Sequence, residues 1–155
     1  MERALYELNR FDTDVVGAPC YFEPQLVVDA AEPVGAWLGM ANYDRAMFII
    51  QAGEWTNIGD TLDAAVWQAT SAAGAGAKPV VGKAITTYAS TAAAENNLWY
   101  IHLDVSELDV DGGFAWIQLR VDVSAGDSVY LAVVCQRESR VFEPVPRPEV
   151  EEVIN

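Results

Sequence analysis

Three stretches of alternating side chains constrain this chain more than anything else in it. They are Leu98–Val105, Phe114–Val123 and Val129–Gln136. Successive side chains of a strand point to opposite faces, so a half-buried strand alternates apolar with polar residues. In the first stretch Trp99, Ile101, Leu103 and Val105 oppose Tyr100, His102 and Asp104. In the second, Ala115, Ile117, Leu119, Val121 and Val123 oppose Trp116, Gln118, Arg120 and Asp122. The links Asp111-Gly112-Gly113 and Ser124-Ala125-Gly126-Asp127-Ser128 carry glycines suited to the positive φ of hairpin turns. The spacing therefore predicts a meander, three consecutive strands side by side in one sheet.

Further strands are predicted upstream. Ala46–Trp55 is almost continuously hydrophobic, as in a strand covered on both faces. Leu62, Ala64 and Val66 alternate with Asp63, Ala65 and Trp67; the alanines leave a helix as the competing reading, and Thr61, Trp67 and Thr70 favour a strand. Gln25–Asp29 and Lys78–Tyr88 each hold a short strand, and Pro33–Met40 reads as a loop or an edge strand. Ser71–Ala77 reads as a mobile small-residue loop and Thr91–Asn97 as one helical turn. The expected fold is all-β: an antiparallel β-sandwich, jelly-roll or immunoglobulin-like, with extended N- and C-terminal arms. The expected organisation is an N-terminal arm over 1–24, a sandwich over 25–142 and a Pro-rich tail over 143–155.

A chain of 155 residues suits one domain with a substantial core. No run reaches the roughly 18 apolar residues of a membrane helix. Met1–Glu7 lacks the basic start and apolar stretch of a signal peptide, so a chain used without export is expected. With 23 acids against 9 bases the formal net charge is −14, which argues against a nucleic-acid surface. Asp104, Glu107, Asp109 and Asp111 form the densest acidic group, read as a solvated loop with calcium as the alternative. Cys20 and Cys135 are far apart; Cys135 is expected to pack as a small hydrophobe, and a disulfide is disfavoured.

No catalytic set stands out. The one histidine, His102, lies mid-strand, no Gly-x-Ser-x-Gly elbow or phosphate loop occurs, and nothing singles out a carboxylate pair among the acids. Five tryptophans and six tyrosines are many for this length. Trp116 shares the polar face of its strand with Gln118 and Arg120 and is the favoured aromatic at a partner surface, whereas Trp99 is placed in the core.

The order of strands from Asn42 to Gln136 resembles the head decoration, or cement-like, virion proteins of tailed bacteriophages. Asn42–Gly53 opens a central strand, Val66-Trp67-Gln68-Ala69-Thr70 follows, and Leu119-Arg120-Val121-Asp122-Val123 precedes Tyr130-Leu131-Ala132-Val133-Val134. The family's Asp-Gly-x-Ser turn is replaced here by Ser71–Gly76. The resemblance implies a non-catalytic structural protein without cofactor or metal. It implies a chain made in the host cytoplasm that sits on the capsid exterior, binds the major capsid protein, and forms a homo-oligomer, with a trimer favoured. Nucleic acid and membrane are not among the expected partners. The interface residues expected are Trp116, Arg120, Tyr130, Phe142, Phe11, Tyr21 and Phe22. Two other readings stand beside it: another virion component (head-completion, tail or spike-base), or a carbohydrate-binding sandwich that uses Trp and Tyr.

Overall fold

A computed structural model describes residues 21–28 and 35–139, together with the backbone of 11–12. The side chains of Phe22, Glu23 and Ser139 are outside that description, as are Cys20, Phe142, most of the 1–24 arm and the whole 143–155 tail. Among the described residues ten strands run in order: β1 (Phe11–Asp12), β2 (Phe22–Val28), β3 (Leu38–Gly39), β4 (Tyr43–Trp55), β5 (Thr61–Ala69), β6 (Lys78–Ala84), β7 (Tyr88–Ala89), β8 (Asn97–Asp104), β9 (Trp116–Val123) and β10 (Ser128–Ser139). The helical element among the described residues is one 3₁₀ turn, Val105–Glu107. No helix there is long and apolar enough to cross a membrane.

The strands form two antiparallel sheets packed face to face. Sheet A has the order β1-β10-β4-β8, with β2 also paired to β10; sheet B has the order β3-β9-β5-β6, with β7 also paired to β5. The period-2 pattern dictates the core. Phe48, Ile50 and Trp55 of β4, Ile101 and Leu103 of β8, and Leu131 and Val133 of β10 face inward from sheet A. They meet Leu62, Ala64 and Val66 of β5 and Ile117, Leu119, Val121 and Val123 of β9. The in-register pairs Leu62↔Val123, Ala64↔Val121 and Val66↔Leu119 show that the alternation of β5 is that of a strand. A one-residue slip would turn this whole set out to water.

Strands β8, β9 and β10 occur where the alternation places them, but they are not a meander. β8 and β10 flank β4 in sheet A, while β9 lies in sheet B. Each link that resembles a hairpin is an arch between sheets. At the second arch, Gly126 has φ 88°, and Asp127 N–H donates to Ser124 O at 2.9 Å. Asp127 Oδ2 then accepts from the Thr61 N–H at 2.7 Å, which ties the turn to β5. The buried Asp60 accepts from Ser128 N–H at 3.2 Å and so holds the first residue of β10. Carboxylates thus satisfy the first backbone donors of β10 and of β5.

Other expectations change in detail. β4 is covered on one face only: Met47 and Ile49 are half-buried and Gln51 is exposed. β9 begins at Trp116 rather than Phe114, because the Phe114 N–H turns back to Asp109 O at 3.1 Å. Ser71–Ala77 is a stack of hydrogen-bonded turns, with Ser71 Oγ accepting from both Ala73 and Ala75 N–H. Thr91–Asn97 is a turn closed by Glu95, whose carboxylate accepts from Thr91 N–H at 2.9 Å, and not a helical turn.

Tyr21 lies upstream of the boundary expected at Gln25, yet it belongs to the sandwich. Its ring packs edge-on against Phe48, with centroids 5.3 Å apart. Its hydroxyl donates to Ala36 O at 2.9 Å and accepts the Leu119 N–H at 3.2 Å. β3 pairs with β9 only at Ile117 and Trp116, so Tyr21 takes over the open edge of β9 where β3 ends.

Burial raises the Tyr21 phenol above its ordinary value, and burial pushes the Cys135 thiol from 9.0 up to about 12. The unfolded chain loses both protons at their ordinary values while the folded chain keeps them. This contribution to stability is whole below about pH 9 and is lost as pH rises from there. The melting temperature should fall from pH 9 to pH 11, and fall less steeply in Cys135→Ala. A flat profile over that range would contradict the burial of the thiol.

Candidate interaction faces

Pairing register decides which side chains share an outer face. On sheet B, Ala65↔Arg120, Trp67↔Gln118 and Ala69↔Trp116 lie side by side, with Gly39 opposite Trp116. Arg120 covers the Trp67 ring at 3.9 Å and its Nε donates to Gln118 Oε1 at 3.3 Å. Gln118 Nε2 in turn donates to Gly35 O at 2.7 Å. The ring of Trp116 lies against Gly39, where a Cβ would sit 3.4 Å from it. Trp37 closes the same side over the 71–77 turns, where a Cβ on Gly74 would meet its Nε1 at 2.7 Å. The tryptophans of this face are therefore engaged within the chain. Arg120→Ala should cost only about 0.5–1 kcal/mol, the worth of an exposed cation–π contact, and should raise acrylamide quenching of Trp67 fluorescence. Unchanged quenching would mean that the guanidinium does not shield the ring.

Sheet A presents a different surface. Its outer face runs from Leu26 and Val28 of β2 across Tyr130, Ala132 and Val134 of β10 and Met47, Ile49 and Gln51 of β4 to Leu98 and Tyr100 of β8. Tyr100 is 58% exposed and Tyr130 53%, with Leu26, Val28 and Leu98 close behind. Among the described residues, charges occur only at its two ends. Glu54 stands at one. Arg45, bonded to Asp104 at 3.0 Å and near Glu138 at 3.7 Å, stands at the other. A face this apolar in a chain of net charge −14 is the outlier of the molecule.

The acidic loop is engaged by bases. Lys83 Nζ lies 2.7 Å from Glu107 and Lys78 Nζ 2.5 Å from Asp109. The Lys83 ammonium, together with the Asp104 N–H, holds the Glu107 carboxyl below its usual range. The Lys78 ammonium, together with the Gly112 N–H, does the same for Asp109. Asp109 N–H also donates to the buried Gln68 at 2.8 Å, which pins the loop to β5. No group of three or more His, Cys, Asp or Glu fit to hold a metal occurs among the described residues. His102 is exposed, with Nδ1 3.9 Å from Asp104.

The expected interface residues are thus dispersed. Tyr130 is on the open face of sheet A, and Trp116 and Arg120 are on the opposite, self-engaged face. Tyr21 joins the two sheets instead of facing a partner. The backbones of Phe11 and Phe22 pair with β10 at Glu138 and Val133, and their side chains, like Phe142, are outside the described residues. The sequence reading put Tyr100 on the outward face of its strand, but Ile49, Leu98 and Tyr100 were not among the expected interface residues. The signal was present in the alternation of β8, whose outward positions hold an aromatic and a leucine where a solvated strand carries charges. Fold and faces together define a two-sheet antiparallel β-sandwich with one outer face that, among the described residues, carries acids and arginine only at its ends. No family model matches the chain, and no curated protein matches it.

Proposed function

We propose that the chain is a structural protein of a phage virion, which docks on the outside of the head through the outer face of sheet A and links neighbouring capsomers. The observation that carries this reading is the contiguous apolar surface Leu26–Tyr130–Val134–Ile49–Tyr100, free of charge between its two ends. Burying it against another protein removes apolar area from water, at about 25 cal/mol per Å². The acids elsewhere keep the chain soluble. The likeness of the 42–136 strand order to head decoration proteins supplies the particular assembly. The sugar-binding alternative loses the Trp67 ring face, which Arg120 occupies, and rests on the exposed Tyr100 and Tyr130.

The test incubates the purified chain with undecorated tailed-phage heads. Saturable co-sedimentation, at hundreds of copies per particle, with a gain in heat resistance of the heads is the expected result. Absence of saturable binding would overturn the reading, and about a dozen copies or fewer would move the chain to a connector or tail position.

A further inference from the structure

We propose that β8 is a strand-addition edge that pairs antiparallel with β8 of a second copy of this chain. The strand order places β8 at the border of sheet A, with β4 on one side only. An antiparallel strand sends the N–H and C=O of alternate residues to opposite sides. His102 O accepts from Lys83 Nζ at 2.8 Å and Asp104 N–H donates to Glu107 at 2.8 Å, so the even-numbered residues of β8 point away from β4. Lys83 and Glu107 thus cap the far end of the edge. Leu98 and Tyr100 carry outward N–H and C=O groups to which no described residue bonds.

A bare edge is usually blunted by proline, bulges or inward charges. The centre of β8, Leu98-Trp99-Tyr100-Ile101, has none of these, and its pairing with β4 runs without a register shift.

The second copy is singled out by register and charge. A dyad at Trp99 places Leu98 of one copy opposite Tyr100 of the other. Each Leu98 then exchanges both backbone bonds with that Tyr100, the two residues whose groups are uncapped, and Lys83 keeps its bond to His102 O. Leu98 and Tyr100 meet on the outer face as an aromatic–aliphatic cross-strand pair. Asp104 falls opposite Ala94, so no acid faces an acid along the shared edge, which matters between two chains of net charge −14. The product is a continuous sheet whose uncharged faces join, and such pairs can connect oligomers across a shell. The proposal stands apart from shell docking, and its test uses no shell, so either can fail alone.

Sedimentation equilibrium of the full chain at about 10–300 µM should show the mass rising toward twice the monomer. Tyr100→Pro removes an outward donor and leaves the β4 ladder intact; Leu98→Lys is the variant that keeps the backbone unchanged. Both should stay monomeric while keeping the parental circular dichroism. Amide exchange at Leu98 and Tyr100 should slow as concentration rises. A strictly monomeric parent would overturn the proposal, and so would a dimer that persists in both folded variants. Protection of these two amides that is independent of concentration would also overturn it, since it would mean that the chain covers its own edge.

Discussion

Tyr21→Ala is expected to lower the unfolding free energy by about 3 kcal/mol, the scale of truncating a packed aromatic ring. The reason is position rather than size. Tyr21 touches sheet A through the Phe48 ring and sheet B through the Leu119 N–H, at the place where β3 stops pairing. Tyr21→Phe keeps the ring and removes only the hydroxyl, which leaves the part-buried Leu119 donor without its partner while the exposed Ala36 carbonyl turns to water. Such a loss costs about 1–3 kcal/mol. Gly35 supplies the independent check. A Cβ built there would lie 2.2 Å from Tyr21 Cζ, in the body of the ring and not at a flexible tip. Gly35→Ala must therefore displace the ring, and its cost should approach that of Tyr21→Ala. Urea unfolding of both single variants and the double variant decides the matter, because residues in contact are not additive. The double variant should be little worse than Tyr21→Ala. Strict additivity, or a neutral Gly35→Ala, would show that the ring does not sit in this seam.

The same residue shows where the sequence was legible and where it was not. β5, β8, β9 and β10 were readable because each alternates, and alternation reports one buried face whatever the neighbour is. It says nothing about which strand that neighbour is. The link from β9 to β10 has the length and the glycine of a hairpin, and Gly126 does adopt positive φ. What makes it an arch is Asp127 bonding to Thr61 and Asp60 bonding to Ser128, contacts that span more than sixty residues of chain. No local pattern carries them. Tyr21 was hidden for the same reason: a tyrosine between Cys20 and Phe22 looks like part of an arm, and its partners Phe48 and Leu119 are distant in sequence. Trp116 and Arg120 were placed on the right face of β9 but read as free. Their engagement depends on Gly39 and on Trp67, which only the register Gly39↔Trp116 and Ala65↔Arg120 brings alongside.

Under the proposed docking, Val134→Asp should weaken attachment to phage heads by about 30-fold or more, equivalent to roughly 2 kcal/mol. Val134 sits in the middle of the sheet A face, beside Ile49, with Tyr100 on the next strand. In the free chain it is half-buried and next to solvent, so a carboxylate there stays hydrated and the melting temperature should move little. In the docked state the same carboxylate would be taken from water with no base beside it, since Val134 pairs with Ile49 and Ile49 with Tyr100, which is where the penalty arises. Val81→Asp is the matched control, since Val81 is 95% exposed on β6 of the other sheet. It adds the same charge to the same chain and should leave attachment within about threefold, a difference of roughly 0.6 kcal/mol. Equal losses in both variants would mean that net charge, and not this face, controls docking. Salt separates the two causes again: contact through a face without charge at its centre should hold or strengthen as ionic strength rises and screens repulsion between neighbouring copies of this acidic chain. Attachment driven by opposite charges would weaken under the same change and would remove sheet A from the docking role.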